Sequence, residues 1–138
     1  MINKISARRC TNIISDLVRR PKGTVAQHLR QVGTHRVCTS IIVACELRFG
    51  VAKSGSSKLA KQLSEILEQL PILPLVQPVE DHYAQIRNHL EHLGTPIGPN
   101  DLLIAAHAQL LGLTIVTANV NEFSRVPNLM VENWLQPS

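Results

Sequence analysis

The sequence predicts an α/β protein in three layers, with a central, mostly parallel sheet of four to five short strands flanked by helices. Three observations support this. Short apolar runs alternate with helix-length amphipathic segments along the 138 residues, giving each strand the crossover that a parallel neighbour requires. The stretch Leu102 to Leu111 is apolar almost all round, as a helix buried between layers would be. Pro21, Gly23, Pro71, Gly94 and Gly112 stand between the periodic runs, where chain breakers belong.

Taken in order, Ile13 to Val18 and Thr24 to Val32 read as helical pieces, parted by Pro21 and Gly23. Arg36 to Cys38 reads as a short strand. Thr39 or Ser40 can then cap a helix running through Ile42, Val43, Leu47 and Phe49 toward Ser54 and Gly55, because a hydroxyl there accepts from a free backbone N–H of the first turn. From Lys58 to Leu70, Leu59, Leu63, Ile66, Leu67 and Leu70 share one helical face, and Pro71 ends the helix. Ile72 to Val76 is a strand kept short or peripheral by Pro74. Val79 to Leu93 is an amphipathic helix closed by Gly94. Pro99 suits the first turn of the apolar helix. Thr114 to Thr117 is a β-branched strand, Ala118 to Arg125 a polar loop, and Leu129 to Val131 a last strand.

The length fits one domain over residues 1–138, with residues 1–10 as an atypical N-terminal segment. Fourteen Lys and Arg against ten Asp and Glu give a formal charge of +4 and a pI near 9.3, which favours an acidic partner such as nucleic acid. Aromatic residues are 3% of the chain, so phosphate or shape recognition is expected ahead of base stacking. Cys10, Cys38 and Cys45 form no C-x-x-C spacing, which argues against a disulfide framework or thiolate zinc site and fits a reducing cytoplasm. No apolar run suits a signal peptide or the roughly 20 residues of a membrane span. Neither G-x-G-x-x-G nor G-x-x-x-x-G-K occurs, so a nucleotide-binding loop is unsupported.

Three features carry chemistry. Glu46 shares a helical face with Ile42, Val43, Phe49 and Gly50, a face expected to be buried, where a carboxylate needs a cation or strong donor. Asp101 lies in the first turn of the apolar helix, where the helix dipole favours an anion. Ala105 and Ala108 leave its face open. Asn119, Asn121 and Glu122 follow the strand Thr114 to Thr117, at the end of a parallel sheet where ligands bind. Together these would make an oxygen-only set suited to Mg²⁺ or Mn²⁺. Each also has a plainer reading: an arginine partner for Glu46, a helix cap for Asp101, a turn at Asn119 and Glu122.

These stretches resemble the PIN-domain family, and its VapC-type toxins in particular. Cys38-Thr-Ser-Ile-Ile-Val-Ala-Cys-Glu46-Leu-Arg-Phe-Gly50 is similar to the segment in which a serine-rich turn leads to a helix bearing an acidic ligand. Gly94-Thr-Pro-Ile-Gly-Pro-Asn-Asp101 resembles the segment of the next acid, and Thr117-Ala-Asn-Val-Asn-Glu-Phe123 the one after it. Val131-Glu-Asn-Trp-Leu135 closes the chain as in many VapC proteins. The resemblance implies a PIN-like fold and a Mg²⁺- or Mn²⁺-dependent endoribonuclease acting on structured RNA such as tRNA. Glu46, Asp101 and Glu122 would be its metal ligands, Asn119 would join them in catalysis, and Thr11, Asn12 and Thr117 would support them. It also implies a homodimer and an antitoxin partner.

In one position the chain departs from the pattern. Where the family has an acid before Thr-Asn, this chain has Cys10-Thr11-Asn12. A thiol is a soft ligand and Mg²⁺ prefers oxygen, so metal binding should weaken, and the alternative function is a catalytically weakened PIN domain that dimerises and binds an antitoxin. Asp16, the nearest substitute acid, is expected to point to solvent. Lys4, Ser6, Arg8 and Arg9 interrupt what should be an apolar central strand, so either the strand is displaced or frayed, or the N-terminus is an altered start on an otherwise ordinary body. His82, His89 and His92 are expected on a solvated helix face, and His107 as a hydrogen-bonded core residue.

Overall fold

The computed structural model describes residues 9–135. Its elements are β1 (Arg9–Thr11), α1 (Ile14–Arg19), α2 (Thr24–Val32), a 3-10 turn (Thr34–Arg36), β2 (Val37–Ser40), α3 (Ile41–Ser54), α4 (Ser57–Gln69), β3 (Ile72–Leu73), α5 (Val79–His92), α6 (Pro99–Leu111), β4 (Thr114–Val116), α7 (Val120–Phe123) and β5 (Val131–Glu132). The strands form one sheet in the order β3-β2-β1-β4-β5. Every described pairing is parallel, so the predicted architecture holds.

β1 is the central strand, paired with β2 through Arg9↔Val37 and Cys10↔Cys38 and with β4 through Arg9↔Thr114, Cys10↔Ile115 and Thr11↔Val116. The expectation of a displaced first strand is therefore corrected from Arg9 onward; Lys4, Ser6 and Arg8 lie outside the described residues. Arg9 is tolerated because its guanidinium is paired with Glu132 on β5.

β3 stops at Leu73, next to Pro74, and sits at the sheet edge against β2, as a strand interrupted by proline must. Ser40 caps α3, its Oγ accepting from Ile42 N at 3.1 Å, and Gly55 ends that helix at a positive φ of 68°, where a side chain would be strained. Ser56 caps α4 in the same way through Leu59 N. The loop expected over Ala118 to Arg125 instead contains α7, a single turn.

The core lies between sheet and helices. Ile104, Ala105, Ala106 and Ala108 of α6 are fully buried, together with Ile14, Ile115, Val116 and Phe123. Ala105 and Ala108 thus pack into the core instead of opening a face to a ligand. α6 also packs on α5 and touches α3, so its first turn is fixed relative to the strand ends. No helix among the described residues is long and apolar enough to cross a membrane.

Candidate active site

Because β1, β2 and β4 are adjacent and parallel, the residues that follow them meet at one rim of the sheet, the place where such sheets bind ligands. Thr11 and Asn12 follow β1, Ser40 closes β2, and Thr117 to Asn119 follow β4. The strand ends are locked. Thr39 Oγ1 donates to Thr11 O at 2.7 Å, Asn12 N donates to Val116 O at 3.0 Å, and Thr117 N donates to Glu132 O at 2.9 Å. Thr11 Oγ1 accepts from Ile13 N, and Thr117 Oγ1 from Asn119 N at 2.9 Å. Thr11 and Thr117 are both buried, so they act as braces for the rim.

Asp101 enters this rim from the first turn of α6 and Glu122 from α7. Their carboxyl groups are within hydrogen-bonding reach of each other. Burial, the Glu122 contact and the fields of Glu122 and Glu46 raise the Asp101 pKa to about 7. Two carboxyls held this close need a proton or a cation between them.

Glu46 is exposed rather than buried, which corrects the expectation for its helix face; Phe49, on the same face, is 68% exposed. α3 is apolar on several sides and buries Val43 and Ala44 instead. The partner of Glu46 is not an arginine: Asn100 Nδ2 donates to its Oε2 at 3.3 Å. Glu46 acts on Asp101 through its field, and among the described residues no three of His, Cys, Asp and Glu close into a set that would hold a metal ion. The structure thus brings Asp101 and Glu122 together and leaves Glu46 on the same rim at longer range.

Asn119 and Asn121 are exposed. The Asn119 backbone shapes α7, its carbonyl accepting from Phe123 N at 3.2 Å, and a cavity of about 240 Å³ is lined by residues 118–122.

Cys10 is 1% exposed and faces Cys38 across the strand pair. The side-chain hydrogen bond with the Cys38 thiol, and then burial, push its pKa well above the ordinary thiol value. Cys10 is therefore a neutral thiol turned to its neighbour. Beside it, Asn12 Oδ1 is buried without a hydrogen-bond partner. Oxygen donors, two interacting carboxyls and an amide oxygen without a hydrogen-bond partner fit a hard divalent cation.

Asp16 does not point to solvent: it is 5% exposed and takes an ion pair from Arg20 Nη1 at 2.7 Å. The reason is its place in α1, where an arginine one turn on folds over it. His82 is also tied down, its Nδ1 lying 2.7 Å from Gln109 Oε1 on α6, while His89 and His92 are exposed. His107 is a core residue, with Nδ1 2.9 Å from Ser40 Oγ; burial lowers its pKa despite the Pro74 backbone. Sequence reasoning did not single out Asn100, although its place beside Asp101 in a first turn was the available signal.

The family described as PIN domain matches residues 11–129. The chain is 41% identical over 99 residues to ribonuclease VapC2 of Rickettsia felis, covering 71% of this chain and 74% of that protein. It is 37% identical over 112 residues to the tRNA(fMet)-specific endonuclease VapC of Salmonella typhimurium, covering 78% and 85%. In structure it is similar to VapBC2 from Rickettsia felis bound to a DNA fragment from their promoter, with a TM-score of 0.83, 32% identity, and coverage of 91% of this chain and 98% of that one. The match begins at Thr11 and spans all three acidic segments: the chain belongs to the PIN domain family.

Proposed function

We propose that this chain is a divalent-metal-dependent endoribonuclease of the VapC kind, the toxin of a toxin–antitoxin pair, cutting a structured RNA such as tRNA. The observation that carries the reading is the Asp101–Glu122 carboxyl pair at the strand ends, with Glu46 adding its field. The relatives named as a ribonuclease and a tRNA(fMet)-specific endonuclease support RNA as substrate. The likeness to VapBC2 supports an antitoxin partner, and the family resemblance supports a homodimer.

Glu46, Asp101 and Glu122 would hold Mg²⁺ or Mn²⁺, which when bound supplies water activation and neutralises charge on the scissile phosphodiester. The rest falls to the chain. Asn100 orients the Glu46 carboxylate, the α6 N-terminus steadies the Asp101 anion, and the braced strand ends hold both against displacement. The exposed Asn119 amide would donate to a phosphate oxygen.

A second reading is favoured by the neutral, buried Cys10 thiol: a weakened PIN domain that binds its antitoxin without cutting RNA. Cleavage of tRNA with Mn²⁺, compared between the parent and Cys10→Asp, separates the two. Cleavage by both, faster in the variant, supports the nuclease. Cleavage by the variant alone supports the second reading for this chain. If neither cuts while Mn²⁺ is bound, the nuclease reading fails.

A further inference from the structure

Charge is divided unevenly along the chain: residues 9–69, through the end of α4, hold ten Lys and Arg against four Asp and Glu, whereas residues 79–135 hold two against six. The fold keeps this division in space, since α1 packs on α2 and α4, and α3 on α4, whereas α5 packs on α6. Among the described cations of α1 to α4, Arg20 has a carboxylate partner, whereas Arg19, Lys53, Lys58 and Lys61 have none. A groove of about 330 Å³ runs between α1, α3 and α4, lined by Arg19, Glu46, Leu47, Gly50 and Leu59 among others. It connects the cleft acid Glu46 to the unneutralised half of the molecule.

Two further details point the same way. Gly50 is an exposed glycine inside α3, and a Cβ there would meet nothing within 4 Å. A helix-interior glycine weakens the helix relative to alanine, and among the described residues no contact requires this one, which points to close approach from outside. Lys53 lies on the same face as Glu46 and Gly50, about 10 Å along the axis from Glu46.

We propose that this groove is the track by which the RNA strand leaves the carboxylate cleft, with Arg19 and Lys53 gripping its phosphates and Gly50 admitting its backbone. The proposal rests on the ribonuclease reading and adds the route. A strand with its scissile phosphate at the rim must put neighbouring phosphates close by, and the cleft acids themselves repel them. Low aromatic content, 3%, leaves charge as the means of holding it.

The test is fluorescence anisotropy of a short labelled single-stranded RNA titrated with the full chain in EDTA across a salt series. Arg19→Gln and Lys53→Gln should each reduce the slope of log affinity against log salt by about 0.7, and the double variant should lose about twice that. Gly50→Ala should melt at a higher temperature yet bind the RNA more weakly. Arg125→Gln, outside the groove, should leave the slope unchanged. Unchanged slopes in both Arg19→Gln and Lys53→Gln overturn the proposal and leave the groove to a protein partner; absence of salt-dependent RNA binding by the parent overturns it too. Binding in EDTA is read without cleavage. Cleavage with Mn²⁺ alongside unchanged slopes therefore sinks the route and spares the nuclease, and slope loss without cleavage does the reverse.

Discussion

Arg9 on the central strand reaches across β4 to Glu132 on β5, with Nε 2.9 Å from Oε1 and Nη2 3.3 Å from Oε2. Trp134 Nε1 donates to the same Oε1 at 3.0 Å, and the Trp134 ring stacks on His28 with centroids 5.5 Å apart. A forked, charge-assisted pair of this kind fixes geometry as well as adding energy. It binds the start of the described chain to its end.

The pair makes stability depend on pH. Burial alone would raise the Glu132 pKa, but the hydrogen bonds from Arg9 and Trp134 outweigh it and the pKa is lowered. The contribution is therefore fully present above the unfolded carboxylate value of about 4.3 and is lost as pH falls through the lower folded value. Glu132→Gln should cost about 1 kcal/mol at pH 7, and thermal melts across pH 2 to 7, about the carboxylate range, should show a shallower acid limb than the parent.

Asp101→Asn removes one member of a crowded carboxyl pair. Without metal at alkaline pH, the variant should melt at a higher temperature than the parent, because like-charge repulsion is relieved. Calorimetric titration with Mn²⁺ should show at least about tenfold weaker binding, on the order of 1.4 kcal/mol or more. A melting temperature unchanged in EDTA would mean that the two carboxyls do not crowd each other.

Cys10→Asp puts a carboxylate in a site that is 1% exposed. In EDTA it should destabilise the fold by about 1–3 kcal/mol, and excess Mn²⁺ should restore part of that loss by binding the folded state. Urea denaturation with and without metal measures both. A variant as stable as the parent under both conditions would show that position 10 is not in contact with the cleft.

Ser40 links two elements, accepting from Ile42 N as the cap of α3 and meeting His107 Nδ1 on α6. With Oγ already accepting, its own proton can go to Nδ1, leaving the ring proton on Nε2. Ser40→Ala should cost about 1–2 kcal/mol through the lost cap. His107→Ala should cost about 2–4 kcal/mol through the vacated volume. Because the two share a bond, the double variant should cost less than the two single losses combined, by about 0.5 kcal/mol or more. Denaturant midpoints of the four proteins test this.

The sequence made the alternation of strands and helices legible because apolar periodicity and breakers agree along most of its length. β1 was obscured because the charge of Arg9 reads as misplaced until its partner, 123 residues away, is known. α7 has four residues, too few to show a helical period. The acids Asp101 and Glu122 were legible as anomalies at element boundaries. The exposure of Glu46 was not, since α3 is apolar on more than one side and periodicity alone cannot orient it. The pairing of buried Asp16 with exposed Arg20 was within reach, because its i,i+4 spacing is visible in the sequence.

Of the three cysteines, Cys10 and Cys38 are sealed between strands while Cys45 is exposed, one residue before Glu46. A maleimide dye should therefore couple at a single place without mutagenesis, beside the cleft, and its emission would report directly on whatever comes to occupy it.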